Sequence, residues 1–402
     1  MGKDLNGKEL GANIYQRKDG RYCGRFDDRF GNRKTLYNKE LKKLKSDLND
    51  AIYEDKNQMS IIDERITLNI FFEEWLETYK YNVIRESTKV TYVNLYNKHI
   101  KPVLGKKKIK DITSIHIREL LKAKDKEGLG YEVKNKIRIV LNDIFNKALI
   151  DNFIQKNPAN GIKINRDKEK DKRILSKEEQ ILFFNCCKGT FYDNLFITAI
   201  NTGLRPGELF ALTWEDIDFM KKEINVNKTL LYQKLTTDTK KEFHINPPKT
   251  ASSKRMVPMT EQCREALLRQ KTQYEVIKSR TVKKLNHDLG NLVFTTKFGT
   301  PLNSQIYIDA IKRIIDEINL LKDDVEKIES FGGHTFRHLF ATRCFEANIP
   351  PKTVQAYLGH SSLTMTMDLY THVLSDKKAM EIQKLVISSG EELKESDLCM
   401  QF

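Results

Sequence analysis

The stretch from Phe331 to Tyr370 reads FGGHTFRHLFATRCFEANIPPKTVQAYLGHSSLTMTMDLY and brings His334, Arg337, His360 and Tyr370 into one short segment. A guanidinium, two proton-transfer groups and a phenol are what is needed to hold a phosphodiester and attack it covalently. Gly332 and Gly333 free the backbone before a helix expected to begin near His334. There His334 and Arg337, three apart, share a face, while Leu339, Phe340 and Cys344 pack the other side. Pro350 and Pro351 break that helix, Thr353 to Leu358 form another, and Gly359 ends it and hands His360 to a loop.

Composition narrows what such a site would act on. Lysine and arginine number 70 against 55 for aspartate and glutamate, a net charge of +15, which points to a polyanionic partner. With 402 residues the chain is expected to divide into two or three domains. It has no apolar run of about eighteen residues and no signal-peptide core, so no membrane partner and a cytoplasmic location are expected. Cys23, Cys186, Cys187, Cys263, Cys344 and Cys399 form no CxxC pair and read as reduced packing thiols, with neither a disulfide framework nor a zinc knuckle.

Several elements must position the site. Asn13 to Gln16, Arg21 to Asp27 and Arg33 to Tyr37 alternate around turn signals and read as three short strands, followed by a helix from about Lys39 to Glu54. This small sheet carries Arg17, Lys18, Arg21, Arg25, Arg29, Arg33 and Lys34, which suits a sheet laid in a DNA groove, against the blander reading of a solvated basic face. Asp55 to Ile66 reads as a linker. Thr67 then caps a helix with Ile70, Phe71, Trp75, Leu76 and Tyr79 on its apolar face. Ser87 to about Ile100, ending before Pro102, then Ile112 to Ala123 and Tyr131 to Asp151 complete a four-helix domain. Lys89, Lys98, Lys101, Lys106 to Lys108, Lys110, Lys134, Lys136 and Arg138 are expected on its outside.

Ile162 to Arg173 is charged and reads as an interdomain linker. Ser176 and Glu179 make a capping box that opens a further domain, and an apolar helix from Phe191 to Thr202 ends at TGLRPGEL, setting Arg205 at a glycine-broken junction. Glu223 to Asn227 and segments around Phe243 to Ile245 and Arg255 to Met259 read as strands. Pro247 to Ser253 is expected to be the hairpin tip between the last two, with Lys249 leading the turn. Helices from Glu261 and Ser304 follow.

TGLRPGEL, PPKTASSKRMVP, HTFRH, LGHSS and YTHV, in this order, resemble the tyrosine recombinase family, of the phage and conjugative-transposon integrase type. The resemblance implies a multidomain α+β protein. Residues 1–60 would be an arm-site DNA-binding sheet with its helix, 66–160 a helical, SAM-like core-site domain, and 174–390 a mainly α catalytic domain with a small antiparallel sheet, before a tail over 391–402. It also implies catalytic roles for Arg205, Lys249, His334, Arg337, His360 and Tyr370, with Tyr370 as nucleophile; Lys254 lies near the same hairpin and stays open as the general acid. The two arginines would clamp the scissile phosphate through paired donors. Tyr370, with a reference pKa of about 10, needs help to attack, and His334 would take its proton. The phosphotyrosine would conserve the bond energy for rejoining, so no metal or other cofactor is required. The implied partners are double-stranded DNA at core and arm sites, a homotetramer on DNA, and accessory DNA-bending or directionality proteins.

Other readings fit less of the sequence. His334 and His338 have the i, i+4 spacing of zinc-binding helices, but Thr335 stands where such a metallopeptidase has its glutamate. A non-catalytic DNA-binding regulator leaves the phenol, imidazoles and arginines unexplained. A type IB topoisomerase shares the chemistry yet needs no separate amino-terminal sheet. After Tyr370, Ser375 to Val386 reads as a short helix with Ala379, Met380, Ile382 and Leu385 in an apolar stripe, to dock on a neighbouring protomer or at home.

Overall fold

The structure, a computed structural model, describes residues 2–28, 31–56, 66–80, 82–165, 175–235, 238–248, 250–280, 289, 291–320 and 327–369. The chain divides into two compact units, Met1–Lys170 and Asp171–Phe402.

In the first unit, strands β1 (Gly2–Lys3) and β2 (Glu9–Gly11) form a hairpin that the strand pattern did not reveal. Strands β3 (Ile14–Gln16), β4 (Tyr22–Asp27) and β5 (Arg33–Asn38) make an antiparallel sheet in that order, with Gly24 opposite both Ile14 and Leu36. The period of two turns Tyr22, Gly24, Phe26 and Leu36 toward helix α1 (Leu41–Lys56), where Leu44 and Leu48 close a small core with Ile14. The opposite face carries arginines on tyrosines. The Arg17 and Arg21 guanidiniums lie 5.3 and 5.9 Å from the Tyr37 ring centre, and Arg25 donates to the Tyr15 hydroxyl at 2.6 Å. Arg29 falls outside the described residues.

The helical part of this unit contains α2 (Leu68–Glu74), α3 (Glu86–Leu95), α4 (Lys101–Leu104), α5 (Ser114–Lys126) and α6 (Tyr131–Ile150). The Thr67 hydroxyl accepts from the Ile70 backbone N–H and caps α2. Leu68, Phe71, Phe72, Trp75 and Leu76 follow the i, i+3, i+4, i+7, i+8 stripe and are buried; Ile70 falls off it and is 54% exposed, contrary to expectation. Pro102 does not end its helix either. A wide turn over Tyr96–Ile100 lets the Lys101 N–H bond the Tyr96 carbonyl five residues back, and Pro102 then opens α4, where its missing N–H is not needed. Lys134, expected outside, is buried and paired with Asp125, because α6 turns that position toward the α5 end. Ile162, expected in a linker, packs in the helical core beside Ala159 and Ile154. Residues 57–65 and 166–174, most of the two linkers, lie outside the described residues.

The second unit contains α7 (Lys177–Cys187), α8 (Asp193–Thr202), α9 (Pro206–Ala211), strands β6 (Ile217–Asp218), β7 (Glu223–Val226), β8 (Thr229–Gln233), β9 (Glu242–Asn246) and β10 (Arg255–Pro258). Helices α10 (Glu261–Arg280), α11 (Ser304–Asn319), α12 (Thr335–Glu346) and α13 (Pro351–Leu358) follow. Ser176 and Glu179 close the capping box on α7 with bonds of 3.1 and 2.9 Å. Helix α8 runs through the centre between α10 and α12, which is why Leu195, Phe196, Ala199 and Ile200 are all buried. Phe183 of α7, Phe196 of α8, Phe331 and Phe336 of α12 form an aromatic cluster.

The strands pair differently from the sequence reading. Sheet order is β10-β7-β6, with Val257 opposite Ile224, while β9 pairs with β8, Leu230 opposite Ile245. Residues 247–254 therefore cross from one sheet to the other and are not the tip of a hairpin. Alternation identifies a half-buried strand but not its partner, and β8, the strand next before β9 in the chain, was missed. Five of the six cysteines are free thiols; Cys399 lies outside the described residues. Among the described residues no helix is long and apolar enough to cross a membrane.

Candidate active site

Helix α8 ends because Gly203 takes the left-handed conformation at φ 61°. A Cβ there would lie 2.4 Å from the Phe340 ring of α12, so the turn sits directly against the helix that carries His334 and Arg337. Two residues on, Arg205 occupies the N-cap of α9 with Pro206 opening the helix, and its backbone N–H donates to Glu208 Oε2 at 3.0 Å. The Arg205 side chain doubles back, Nη1 to Glu208 Oε1 at 2.7 Å and Nη2 to the Gly359 carbonyl at 3.2 Å.

Arg337 comes from α12 and is buried. Its two terminal nitrogens donate to the Gly203 carbonyl at 2.8 Å and the Leu358 carbonyl at 2.6 Å, spanning the two left-handed glycine turns. Burial and the Arg205 charge pull its pKa down to about 9, and it remains a cation at neutral pH. Gly359 turns at φ 64°, where a Cβ would meet the Ser252 carbonyl at 2.9 Å. His360 follows and is buried, with Nδ1 2.9 Å from the Thr366 Oγ1. Burial and then the Arg337, Arg205 and Arg255 charges push its pKa down to about 4, so it is neutral at pH 7. His334, at the N-cap of α12, is exposed on its outer side. The protein packed on its inner side, then Arg337 and Arg205, hold its pKa below the usual histidine range, so it too is a free base at neutral pH.

Glu208 and Arg255 were not singled out from the sequence, and they join the site together. Arg255 Nη2 donates to Glu208 Oε2 at 2.9 Å, Nη1 to the Ser253 carbonyl at 3.0 Å, and Nε to the Tyr357 carbonyl at 2.5 Å. Burial alone would raise the Glu208 carboxyl; the bonds and charge of Arg255, with Arg205, outweigh it and hold the group ionised. Arg205 and Arg255 thus share one carboxylate, and Arg337 stands near enough to feel its charge without bonding to it, so three guanidiniums against one acid leave net positive charge at the site. The signal for Glu208 was present: an acid three residues after Arg205 across a Pro-Gly helix start is the capping pattern. Arg255 carried no comparable signal.

Arg205, Arg337, His334 and His360 thus come together from α8–α9, α12 and the α13 end. Lys249 and Tyr370 lie outside the described residues, as does the tail helix read over Ser375 to Val386. Lys254 is exposed, one residue before the inward-turned Arg255. His338 follows Arg337 on α12, but among the described residues no group of three or more His, Cys, Asp or Glu could hold a metal ion.

The sequence model of the Phage integrase family matches residues 172–377, and that of the Phage integrase, N-terminal SAM-like domain matches residues 67–124. The chain belongs to the Phage integrase family. This integrase is 30% identical to the Tyrosine recombinase XerC-like protein of Caldanaerobacter subterraneus subsp. tengcongensis over 371 residues, 88% of this chain and 91% of that one. It is 26% identical to the transposase from transposon Tn916 of Enterococcus faecalis over 412 residues, 95% of this chain and 96% of that one. Among solved structures, the Tn1549 transposon integrase in complex with a circular intermediate DNA is similar, with a TM-score of 0.68 at 25% identity over 80% of this chain and 99% of that one. The integrase is accordingly a site-specific tyrosine recombinase, an enzyme of DNA cleavage and strand transfer.

Proposed function

We propose that this integrase inserts and excises a mobile element or prophage by cutting and rejoining DNA through a 3'-phosphotyrosine at Tyr370. The observation that carries the reading is that Arg205 and Arg337 are anchored on the same pair of glycine turns, Gly203 and Leu358–Gly359, beside two neutral imidazoles. The guanidiniums would bind the nonbridging oxygens and meet the charge that grows on them in the transition state. His334, a free base at neutral pH, would accept the phenol proton as the tyrosine oxygen attacks phosphorus and the 5'-oxygen leaves. Lys249 would give that oxygen its proton. Lys249 is preferred to Lys254 because the residue beside an inward-facing Arg255 turns outward. His360 would donate a hydrogen bond to the phosphate. Attack by a 5'-hydroxyl from another duplex then reverses the step, and the number of phosphodiester bonds is conserved without metal or nucleotide.

Residues 1–60 would hold arm sites, 66–160 core sites and 174–390 the chemistry, with 391–402 as a tail. Exchange between two duplexes breaks four strands and calls for four tyrosines, so the working form is a homotetramer on DNA, in the cytoplasm, with accessory DNA-bending or directionality proteins as further partners. The Tn1549 and Tn916 relatives, by name proteins of transposons, support the mobile-element reading. The test is Tyr370→Phe on a duplex bearing an end of the element. DNA binding is expected to stay within about threefold, and the covalent protein–DNA adduct to disappear, since only the nucleophilic oxygen is removed. An adduct formed by the variant at a comparable yield would sink the assignment.

A further inference from the structure

His360 contacts one side chain whose role nothing above explains. Thr366 sits within the helical stretch over 363–369, four residues before Tyr370 in sequence, and is 0% exposed. A buried threonine in a helix ordinarily gives its hydroxyl proton to the carbonyl four residues back. Thr198 and Thr202 of this chain, also buried, do so, to Asn194 and Thr198. Thr366 does not. Its hydroxyl meets His360 Nδ1 at 2.9 Å, and that is its hydrogen-bond partner among the described residues.

A neutral imidazole carries one proton, and the nitrogen without it can only accept. Were that proton on Nδ1, the Thr366 hydroxyl would accept from it and leave its own hydrogen buried without an acceptor among the described residues, at the cost of desolvating a donor for nothing. With Nδ1 as the acceptor, both groups are satisfied and the ring proton stands on Nε2. The backbone just before the ring is tied to the clamp, Leu358 to Arg337 and Gly359 to Arg205, and Gln355 brackets His360 through both its backbone N–H and its carbonyl. On the reading that His360 hydrogen-bonds the scissile phosphate, we infer that Thr366 is a positioning residue that sets the His360 tautomer, so that the Nε2–H is presented to a phosphate oxygen. The other tautomer would turn a lone pair toward an anionic oxygen and repel it.

The experiment uses the full chain labelled with ¹⁵N at histidine, together with Thr366→Ser, Thr366→Val and His360→Ala. Ring-nitrogen shifts report the tautomer directly, and single-turnover cleavage of a saturated core duplex reports the chemistry apart from binding. Wild type and Thr366→Ser are expected to hold the proton on Nε2 and to cleave within about threefold of each other, because serine keeps the hydroxyl. Thr366→Val, close in shape but unable to donate, should lose the single tautomer and cleave about tenfold or more slowly with DNA affinity unchanged. A wild-type proton on Nδ1 overturns the inference, whether or not the valine variant folds. So does a valine variant that cleaves at the wild-type rate while His360→Ala is slow. If His360→Ala cleaves normally, the phosphate role of His360 falls and the catalytic half of the inference with it, while the nitrogen shifts still judge the tautomer on their own.

Discussion

Each imidazole of the site is held neutral by burial and by the guanidinium charges beside it, and this has a consequence for stability. The folded-state pKa of His360 is about 4 against 6.5 for the free side chain, so between those values the unfolded chain binds the proton that the folded one refuses. Its contribution to stability is therefore present above pH 6.5 and lost as pH falls toward 4. His334 and His99 are shifted in the same direction, each with burial as the leading cause, and add to the trend. Denaturant unfolding is expected to show a marked loss of stability from pH 7 to pH 4.5. In His360→Asn that loss should shrink by about 2.5 kcal/mol, the free-energy equivalent of the removed proton uptake. An identical pH dependence in variant and wild type would show that the His360 ring is not shielded as described.

Two left-handed glycines and one crossing segment do most of the positioning at the level of elements. Gly203 lets α8 stop and α9 begin within three residues, against Phe340, and so decides where Arg205 points. Gly203→Ala imposes a disfavoured backbone and drives a methyl into that ring. A loss of about 2–4 kcal/mol is expected, with strain and overpacking both counted. Cleavage should fall by more than about tenfold, because Arg205 and Arg337 both anchor on this junction. Thermal unfolding and the yield of trapped covalent adduct are the measurements; unchanged values for both would mean that α12 yields to the methyl without moving the clamp. The segment over 247–254 matters for the opposite reason. It joins β9 of one sheet to β10 of another, and Arg255 next after it binds Ser253, Glu208 and Tyr357, so its end at Ser253 is pinned by a side chain that is not itself a sequence signal.

At the scale of the whole chain, the charge of +15 lies mostly in the first unit, +12 over residues 1–170 against +3 over residues 171–402, and part of it is already engaged. On the amino-terminal sheet, Asp19 pairs with Arg21 at 2.8 Å and Asp27 with Arg33 at 3.0 Å, exposed pairs that DNA phosphates can replace at little cost. If this sheet holds arm sites, a chain lacking residues 1–65 should still cleave a core duplex at a rate within about threefold of the full chain. It should lose protection of the separate arm repeats and show a shallower salt dependence on DNA carrying both. Equal footprints from the two proteins would refute the division of labour.

The sequence by itself determined what is local or carried by residue type. The alternation of β4 and β5, the capping box at Ser176, the helix stop at Gly203 and the turn at Gly359 follow from neighbours within one turn of chain. Arg205, His334, Arg337 and His360 stood out because their chemistry fits one reaction and their motifs come in one order. Tertiary structure decided everything that depends on a partner far along the chain. The pairing of β9 with β8 and of β10 with β7, the wide turn that carries a helix through Pro102, and the burial of Lys134 and Ile162 are of this kind. So are the assignments of Glu208, Arg255 and Thr366. A carboxylate, a guanidinium and a hydroxyl are ordinary surface groups until folding removes water from them, and only then does the identity of the group opposite fix what each one does.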